Sequence, residues 1–510
     1  MRAINSFAII ILLLVSAGFA QTDTNAQPAL TIYNQQFAVV RHELPLSLQN
    51  GVTHVEVTDI TTHLEPDSVI LRSLDESQKI QILEQNYRND PVSQELLLSL
   101  FEGRVIDFQQ VMQDGTKKIV QGKIVRSGYV PHYNAYQTYG QQYYMQQAAY
   151  VQNGTGQPII EVDGKLQFSL PGQPLFPALA DDTILKPTLS WELASDKPGP
   201  TRAEFSYVTH GMTWEADYNV VAPPKGNVLD LVGWVTLDNQ SGKTFSNAKI
   251  KLMAGDVNKI QPPMNGVGAG YAVGGMVVRS DVGQPPVTER SFDEYHLYTL
   301  QRPTTLRDRE TKQVEFVRAT GIQSKAVYVY DGVKIDPQRY GGWNWESIRN
   351  DSSYGTQWNP KIWVMQEFKN SKANNLGMPL PKGRVRFYRR DEDGQLEFTG
   401  ENLIDHTPQD ETLRLYTGSS FDIVGERHRT DYRLDTNRDT LDESFEIQLR
   451  NHKKEPVEVR VVEHLYRWST WEIRLASEEF KKKDSQTVEF TVQVPAQGEK
   501  TVKYLAHYTW

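Results

Sequence analysis

The sequence predicts an all-β protein with minor helix, built as several antiparallel β-sandwich modules. Three observations predict it. Apolar and polar residues alternate with a period of two through most of the chain: Met212, Trp214, Ala216, Tyr218 and Val220 interleave with Thr213, Glu215, Asp217 and Asn219. That is the pattern of a strand with one dry and one wet face. Gly, Asn, Asp and Pro punctuate these runs at short intervals, as turns between strands require. Helical periodicity is scarce, and nothing resembles the alternation of strand and helix that builds a doubly wound nucleotide fold.

The same alternation recurs at 313–318, 326–330, 362–368, 385–388, 444–449, 457–462 and 488–494. At 510 residues the chain is long enough for several domains. It is expected to divide into a β segment at 21–90, a helix-plus-β module at 91–170, and β modules at 171–300, 301–430 and 431–510. Within 91–170, Asp90 is placed to cap a helix with Pro91 in its first turn, running to Phe101. Short strands at 101–108, 119–126, 159–162 and 166–168 follow, suited to a small SH3-like barrel near the N-terminus. Three stretches share one arrangement, in which an alternating strand ends at Asn239, Asn370 or Asn451 and a second strand begins after a polar turn. These read as comparable hairpins, since Asn tolerates turn conformations.

Address is written at the start. Arg2 precedes an apolar stretch at 7–15, and small residues close it at Gly18 and Ala20. A signal peptide at 1–20, cleaved after Ala20, accounts for all three features. The apolar stretch is short for a membrane span, and polar residues follow at once. The expectation is an exported protein, periplasmic, envelope-associated or secreted, with no transmembrane helix after cleavage. Cysteine is absent, which removes disulfides, thiolate metal sites and a cysteine nucleophile. Lys plus Arg total 54 against 63 Asp plus Glu, a formal charge of −9, so no basic footprint for nucleic acid exists.

Two segments depart from the pattern by composition. Residues 129–157 are crowded with Tyr and Gln, and Tyr133, Tyr136, Tyr139, Tyr143 and Tyr144 are the ligand-contact candidates. Tyrosine offers a flat apolar ring with a polar tip; the plainer reading is a low-complexity insertion. Residues 261–291 are rich in Gly and Pro, and Gly266, Gly268 and Gly270 superficially suggest a dinucleotide loop. Pro262 and Pro263 precede it and no helix follows, so the phosphate-binding context is missing.

Signals for chemistry are thin. Glu215 and Asp217 share one strand face roughly 6 to 7 Å apart, near the spacing of an inverting glycosidase pair, although any wet strand face offers carboxylates two residues apart. Asp391, Asp393 and Gly394 partly imitate a calcium loop but lack its later glutamate; flanked by strands, Asp393 and Gly394 read better as a hairpin turn. Histidines are dispersed, with no HExxH, and no serine sits in a GxSxG elbow. No metal site and no cofactor is expected.

A resemblance follows from longer runs. Residues 207–218 (YVTHGMTWEADY), 231–242 (LVGWVTLDNQSG), 248–256, 294–298 (EYHLY) and 376–383 (LGMPLPKG), with Gly400, Glu401, Asn451, His452 and Lys453, together resemble a bacterial family catalogued as domain of unknown function 4139. The resemblance spans the chain from about Tyr207 onward. It implies a secreted or envelope-associated protein and carries no catalytic residue. Similarity to mucoidy-inhibitor-like relatives is more distant, because those have a long N-terminal coiled coil and this chain has one short helix.

The expected function is that of an exported, non-enzymatic β-rich binding or scaffolding protein of the bacterial cell envelope or exterior, with an envelope polysaccharide or protein as partner. The alternative is an envelope hydrolase acting on a glycan through Glu215 and Asp217.

Overall fold

The computed structural model describes residues 27–510 apart from 59, 76–77, 89–91, 113, 130–156, 178, 180–182 and 260–286. The stretch at 1–20 expected to be a signal peptide, the five candidate tyrosines, the glycines at 266–270, and Asp90 with Pro91 lie outside the described residues.

Strands dominate. Ala29–Tyr33, Phe37–Leu48, Ile70–Ser73, Gly199–His210, Phe245–Ala254, Val287–Phe292, Tyr295–Leu300 and Thr304–Leu306 form an eight-stranded sheet. Against it packs a five-stranded sheet of Met212–Ala222, Val228–Asn239, Glu310–Gln323, Gly383–Arg390 and Leu396–Ile404. The period of two decides which side chains meet. Met212, Trp214, Ala216, Tyr218 and Val220 are buried in one core with Leu30, Ile32, Ile250 and Leu252, while Glu215 is exposed. Fully burying such a side chain stabilises by roughly 1.5–3 kcal/mol. The polar ends of the aromatics are satisfied too. The Trp214 indole donates to the Met253 carbonyl at 3.2 Å, and the Tyr218 hydroxyl to the Pro381 carbonyl at 2.7 Å. A three-stranded sheet of Gly51–Thr58, Thr188–Ser195 and Ile80–Arg88 adds Leu189, Trp191 and Leu193 to the same core.

The helix of the 91–170 region runs over Gln94–Leu100 and starts later than the sequence suggests. Ser93 is its cap, its Oγ accepting from the Leu96 N–H at 3.1 Å, which satisfies one of the free donors of the first turn. Leu98 and Phe101 pack on Val105–Val111, Lys117–Arg126 and Ile159–Val162, giving a small separate core with Phe108, Ile124 and Ile160. Among the described residues this sheet does not close into the expected SH3-like barrel. The strand order is open, from Gln173–Leu175 at one edge to Lys165–Gln167 at the other. These three-residue edges pair only inward and are too short to bring a sheet round on itself.

Residues from Lys325 onward supply a nine-stranded sheet: Lys325–Asp331, Lys361–Lys369, Thr412–Asp435, Thr440–Asn451, Val457–His464, Trp471–Ala476, Phe480–Lys482, Thr487–Val494 and Gly498–Thr509. Its wings fold over one another, so that Val459, Val461, Phe490 and Val492 share a core with Ile447, Leu449, Val502 and Tyr504. Pairing is not purely antiparallel. Ala29–Tyr33 runs parallel to Phe245–Ala254, Met212–Ala222 to Gly383–Arg390, and Lys325–Asp331 to Val457–His464. Partners so distant in sequence are free of the tight turn that imposes antiparallel pairing.

The three asparagine-ended strands turn out to be corners rather than hairpins. Val228–Asn239 and Phe245–Ala254 belong to different sheets, as do Lys361–Lys369 and Gly383–Arg390, while Thr440–Asn451 and Val457–His464 share a sheet without pairing. Each asparagine is fully buried and bonds the chain on both sides of the corner. Asn239 donates to the carbonyls of Lys243 (2.9 Å) and Arg307 (3.0 Å) and accepts from the Ser241 N–H at 3.1 Å. Asn370 donates to Met378 and Pro408, both 2.9 Å, and accepts from the Gly377 N–H at 3.0 Å. Asn451 donates to Glu455 (2.8 Å) and Pro495 (3.0 Å) and accepts from the Lys453 N–H at 2.9 Å. By contrast, Asp393 and Gly394 do close a hairpin: the Asp391 N–H donates to the Gln395 carbonyl at 2.8 Å, and Gly394 takes a φ of 87° that suits glycine.

Removing one corner amide leaves buried carbonyls and an N–H without partners. N451A should therefore cost about 1–3 kcal/mol in urea denaturation, and N451D should not restore stability, because a carboxylate cannot donate to Glu455 and Pro495. A loss below about 0.5 kcal/mol, the range of ordinary surface substitutions, would contradict the role.

Candidate functional site

The outer face of the five-stranded sheet carries the predicted carboxylate pair. Glu215 stands exposed opposite Thr236. Asp217 is engaged: it accepts from Thr236 Oγ1 at 3.1 Å and pairs with Arg386 at 3.4 Å. The adjacent register positions are Trp234 and Arg384 beside Asp217, Asn219 beside Arg386, and Tyr388 beside Phe398. The two carboxylates do share a face, as their spacing requires, on a surface of mixed charge and aromatic rings.

The Tyr/Gln-rich segment is rooted on two strands that pair with each other, and the Gly/Pro-rich segment on two strands that flank a third. The Tyr/Gln-rich segment leaves Lys117–Arg126 and returns at Ile159–Val162, which pair through Ile124 and Ile160. At this root the Ser127 N–H and hydroxyl both donate to Glu102 Oε1, at 2.7 and 2.6 Å, and the Arg126 guanidinium donates to the Gln157 carbonyl at 3.3 Å. The Gly/Pro-rich segment leaves after Phe245–Ala254 and returns at Val287–Phe292, and both strands pair with Tyr295–Leu300.

Residues 256–259, which lead into the Gly/Pro-rich segment, are held at both ends. Asp256 pairs with Lys382 at 3.2 Å, and Lys259 Nζ reaches Glu65 at 2.5 Å while lying over the Phe37 ring. Glu65 is shared with His210 Nε2, also at 2.5 Å. Two further histidines are shifted here. Burial pushes His63 down, helped by the charge of His210 and opposed by Asp308. His406 is lowered by burial and then by Lys382, against the raising effect of Asp256 and Asp405. Its Nδ1 accepts the Lys382 N–H at 3.2 Å. Chemically this rim is a polar clasp; among the described residues no three acidic or histidine groups converge as a metal cage would need.

Sequence reasoning missed the most buried polar chemistry. Arg427 and Glu463 lie inside the nine-stranded sheet with side chains 2% and 0% exposed. Arg427 donates to Glu463 at 2.9 to 3.0 Å and to the Gly355 carbonyl at 2.8 Å, stacks on Phe445, and the Tyr504 hydroxyl donates to the same carboxylate. Burial alone would lower the Arg427 guanidinium, but Glu463 outweighs it and holds the group above the usual arginine range. Nearby, Arg467 bonds Glu443 at 2.9 and 3.1 Å and the carbonyls of Asp351 (2.7 Å) and Tyr354 (2.9 Å). These arginines fasten residues 348–355, which begin inside the short helix Trp345–Asn350 and follow the helix Pro337–Tyr340, to the sheet. A signal existed: Glu463 follows Val457, Val459 and Val461 in the buried phase, and Arg427 shares phase with Ile423 and Gly425. A charge in the dry phase demands a partner.

The family model described as a domain of unknown function (DUF4139) matches residues 203–510, more than half of the chain. The chain belongs to the DUF4139 family. No curated protein matches it. The DUF4139 region contains the five- and nine-stranded sheets entire, the three corner asparagines and both buried arginine–glutamate pairs. Ala29–Tyr33, Phe37–Leu48 and Ile70–Ser73 complete the eight-stranded sheet from outside it.

R427M strands Glu463 as an unpaired buried carboxylate and should cost about 3–5 kcal/mol by denaturant titration, with most of that loss recovered in R427M/E463M. A double variant no more stable than R427M would contradict the pairing. A second test is pH. His464 Nε2 meets both Asp331 oxygens at 3.1 Å, and this hydrogen bond raises it above its ordinary 6.5, against the opposing effect of burial; Glu463 and Asp484 add to the rise. Its stabilisation is complete below the ordinary value and is lost as pH climbs through the raised one. H464Q should flatten the stability profile over that window. An unchanged slope would count against the contact.

Proposed function

We propose that this protein is an exported binding or scaffolding protein of the bacterial cell envelope or exterior, holding an envelope polysaccharide or protein on segments carried by a rigid β framework. The observation that supports this most is the rooting of both composition-biased segments on strands within the sheets, with side-chain anchors at Ser127, Glu102, Glu65 and Lys259. Function commonly resides on segments a stiff scaffold positions. Export rests on the pattern of Arg2, the apolar residues 7–15 and Ala20. Tyr133, Tyr136, Tyr139, Tyr143 and Tyr144 supply ring faces for stacking on sugars and hydroxyls for hydrogen bonding.

Replacing residues 130–156 by a short Gly/Ser turn between the Arg126 and Ile159 ends should leave the unfolding transition in place and abolish or sharply weaken retention on cell-wall and polysaccharide panels. Retention equal to the intact chain would remove the segment from the binding surface. Release of soluble sugar from those panels, lost in E215Q or D217N, would instead favour the glycan hydrolase.

A further inference from the structure

The edge of the nine-stranded sheet carries an aromatic face that neither the segments above nor the carboxylate pair uses. Trp345, on the helix Trp345–Asn350, is 53% exposed and tilts against Trp468, ring centres 5.6 Å apart. One turn along, the Arg349 guanidinium lies between two indoles, 4.6 Å from Trp345 and 4.4 Å from Trp510. Trp471 lies on Trp471–Ala476 at the same edge, with Lys482 over its ring at 4.6 Å.

The charges on this face are unequal in their commitments. Arg349 makes no ion pair among the described residues, and its Nε is buried without a hydrogen bond. The carboxylates next to Arg349 in sequence or bonded to this face are largely occupied. Asp351 takes the Ser353 N–H and hydroxyl, both 2.6 Å, and Asp439 takes the Trp510 indole N–H at 3.1 Å. Glu346 is exposed on the same short helix. A guanidinium fixed between two rings and left without an anion offers planar, charged donors that match a carboxylate. The exposed indole beside it offers a flat apolar platform.

We propose that this face binds an acidic polysaccharide, a sugar ring lying against Trp345 and a uronate carboxylate on Arg349. The chain as a whole is acidic, at −9, so long-range attraction does not draw a polyanion to it and recognition depends on this local cation. An extended membrane-surface contact is disfavoured by the polar exposed residues Asn344, Glu346, Ser347 and Asn350 around Trp345. The inference rests on the reading that the protein binds envelope glycans, but it places this contact on a different surface from the Tyr/Gln-rich segment.

The test is affinity electrophoresis and calorimetry of the intact exported protein with polygalacturonate, and with dextran, polyphosphate and phosphatidylglycerol vesicles as comparisons. The face predicts binding of polygalacturonate and not dextran. W345A and R349Q should each weaken it about tenfold, with R349K retaining part and R349Q also losing salt sensitivity. Thermal unfolding of W345A, whose ring is half exposed, should match the parent. Polygalacturonate binding that survives in W345A and R349Q overturns the proposal. If that binding is lost only on removing 130–156, the broader binding reading stands without this face. Preference for polyphosphate or vesicles over polygalacturonate overturns the ligand class, and no binding to any glycan overturns both readings.

Discussion

A buried amide that must donate and accept at once governs where this chain changes direction. Asn239, Asn370 and Asn451 each end a long strand whose inward side chains lie in a dry core. A strand leaving such a core exposes the next carbonyls and N–H groups to a region without water, where an unpaired group is costly. The asparagine side chain supplies the missing partners on both sides, so the chain can enter another sheet at Asn239 and Asn370 and a non-adjacent strand of the same sheet at Asn451. The Asn239 corner joins the five- and eight-stranded sheets and so helps lay Trp214 and Tyr218 against Ile250 and Leu252.

The buried arginine–glutamate pairs do comparable work in the nine-stranded sheet, at higher cost. Removing a carboxylate and a guanidinium from water is unfavourable, and good geometry offsets it here through three bonds from Arg427 to Glu463, two from Arg467 to Glu443, and carbonyl acceptors at 351, 354 and 355. The return is positional. Residues 348–355 have few apolar groups of their own, yet Arg427 and Arg467 hold them in one place, and with them the helix that presents Trp345 and Arg349. The DUF4139 region thus contains both a corner device and a fastening device, each made of polar groups in an apolar setting.

Much of this architecture was legible because a period of two is a direct consequence of strand geometry. Met212 to Val220 and Val457 to Val461 alternate in burial as their types dictate, and the hairpin at Asp393 and Gly394 follows from turn chemistry. Other parts were hidden for physical reasons. An asparagine after a strand looks the same at a hairpin and at a corner, since both need a local amide; only the distant carbonyls of Arg307, Pro408 and Pro495 distinguish them. The pairing of Phe37–Leu48 with Gly199–His210 depends on partners more than 150 positions apart, which no local pattern encodes. Glu215 and Asp217 share a strand face because they are two residues apart, whereas Glu65, His210 and Lys259 meet only through tertiary structure. Trp510 likewise meets Trp345 and Arg349, which share one helix, only through tertiary structure.

The most direct measurement is hydrogen exchange at the Ser241, Gly377 and Lys453 amides, whose N–H groups donate to the three corner asparagines. Protection comparable to the neighbouring strands, and lost locally when the cognate asparagine becomes alanine, is the predicted result. Exchange at all three amides as fast as in an exposed loop, with the strands themselves protected, would contradict the account.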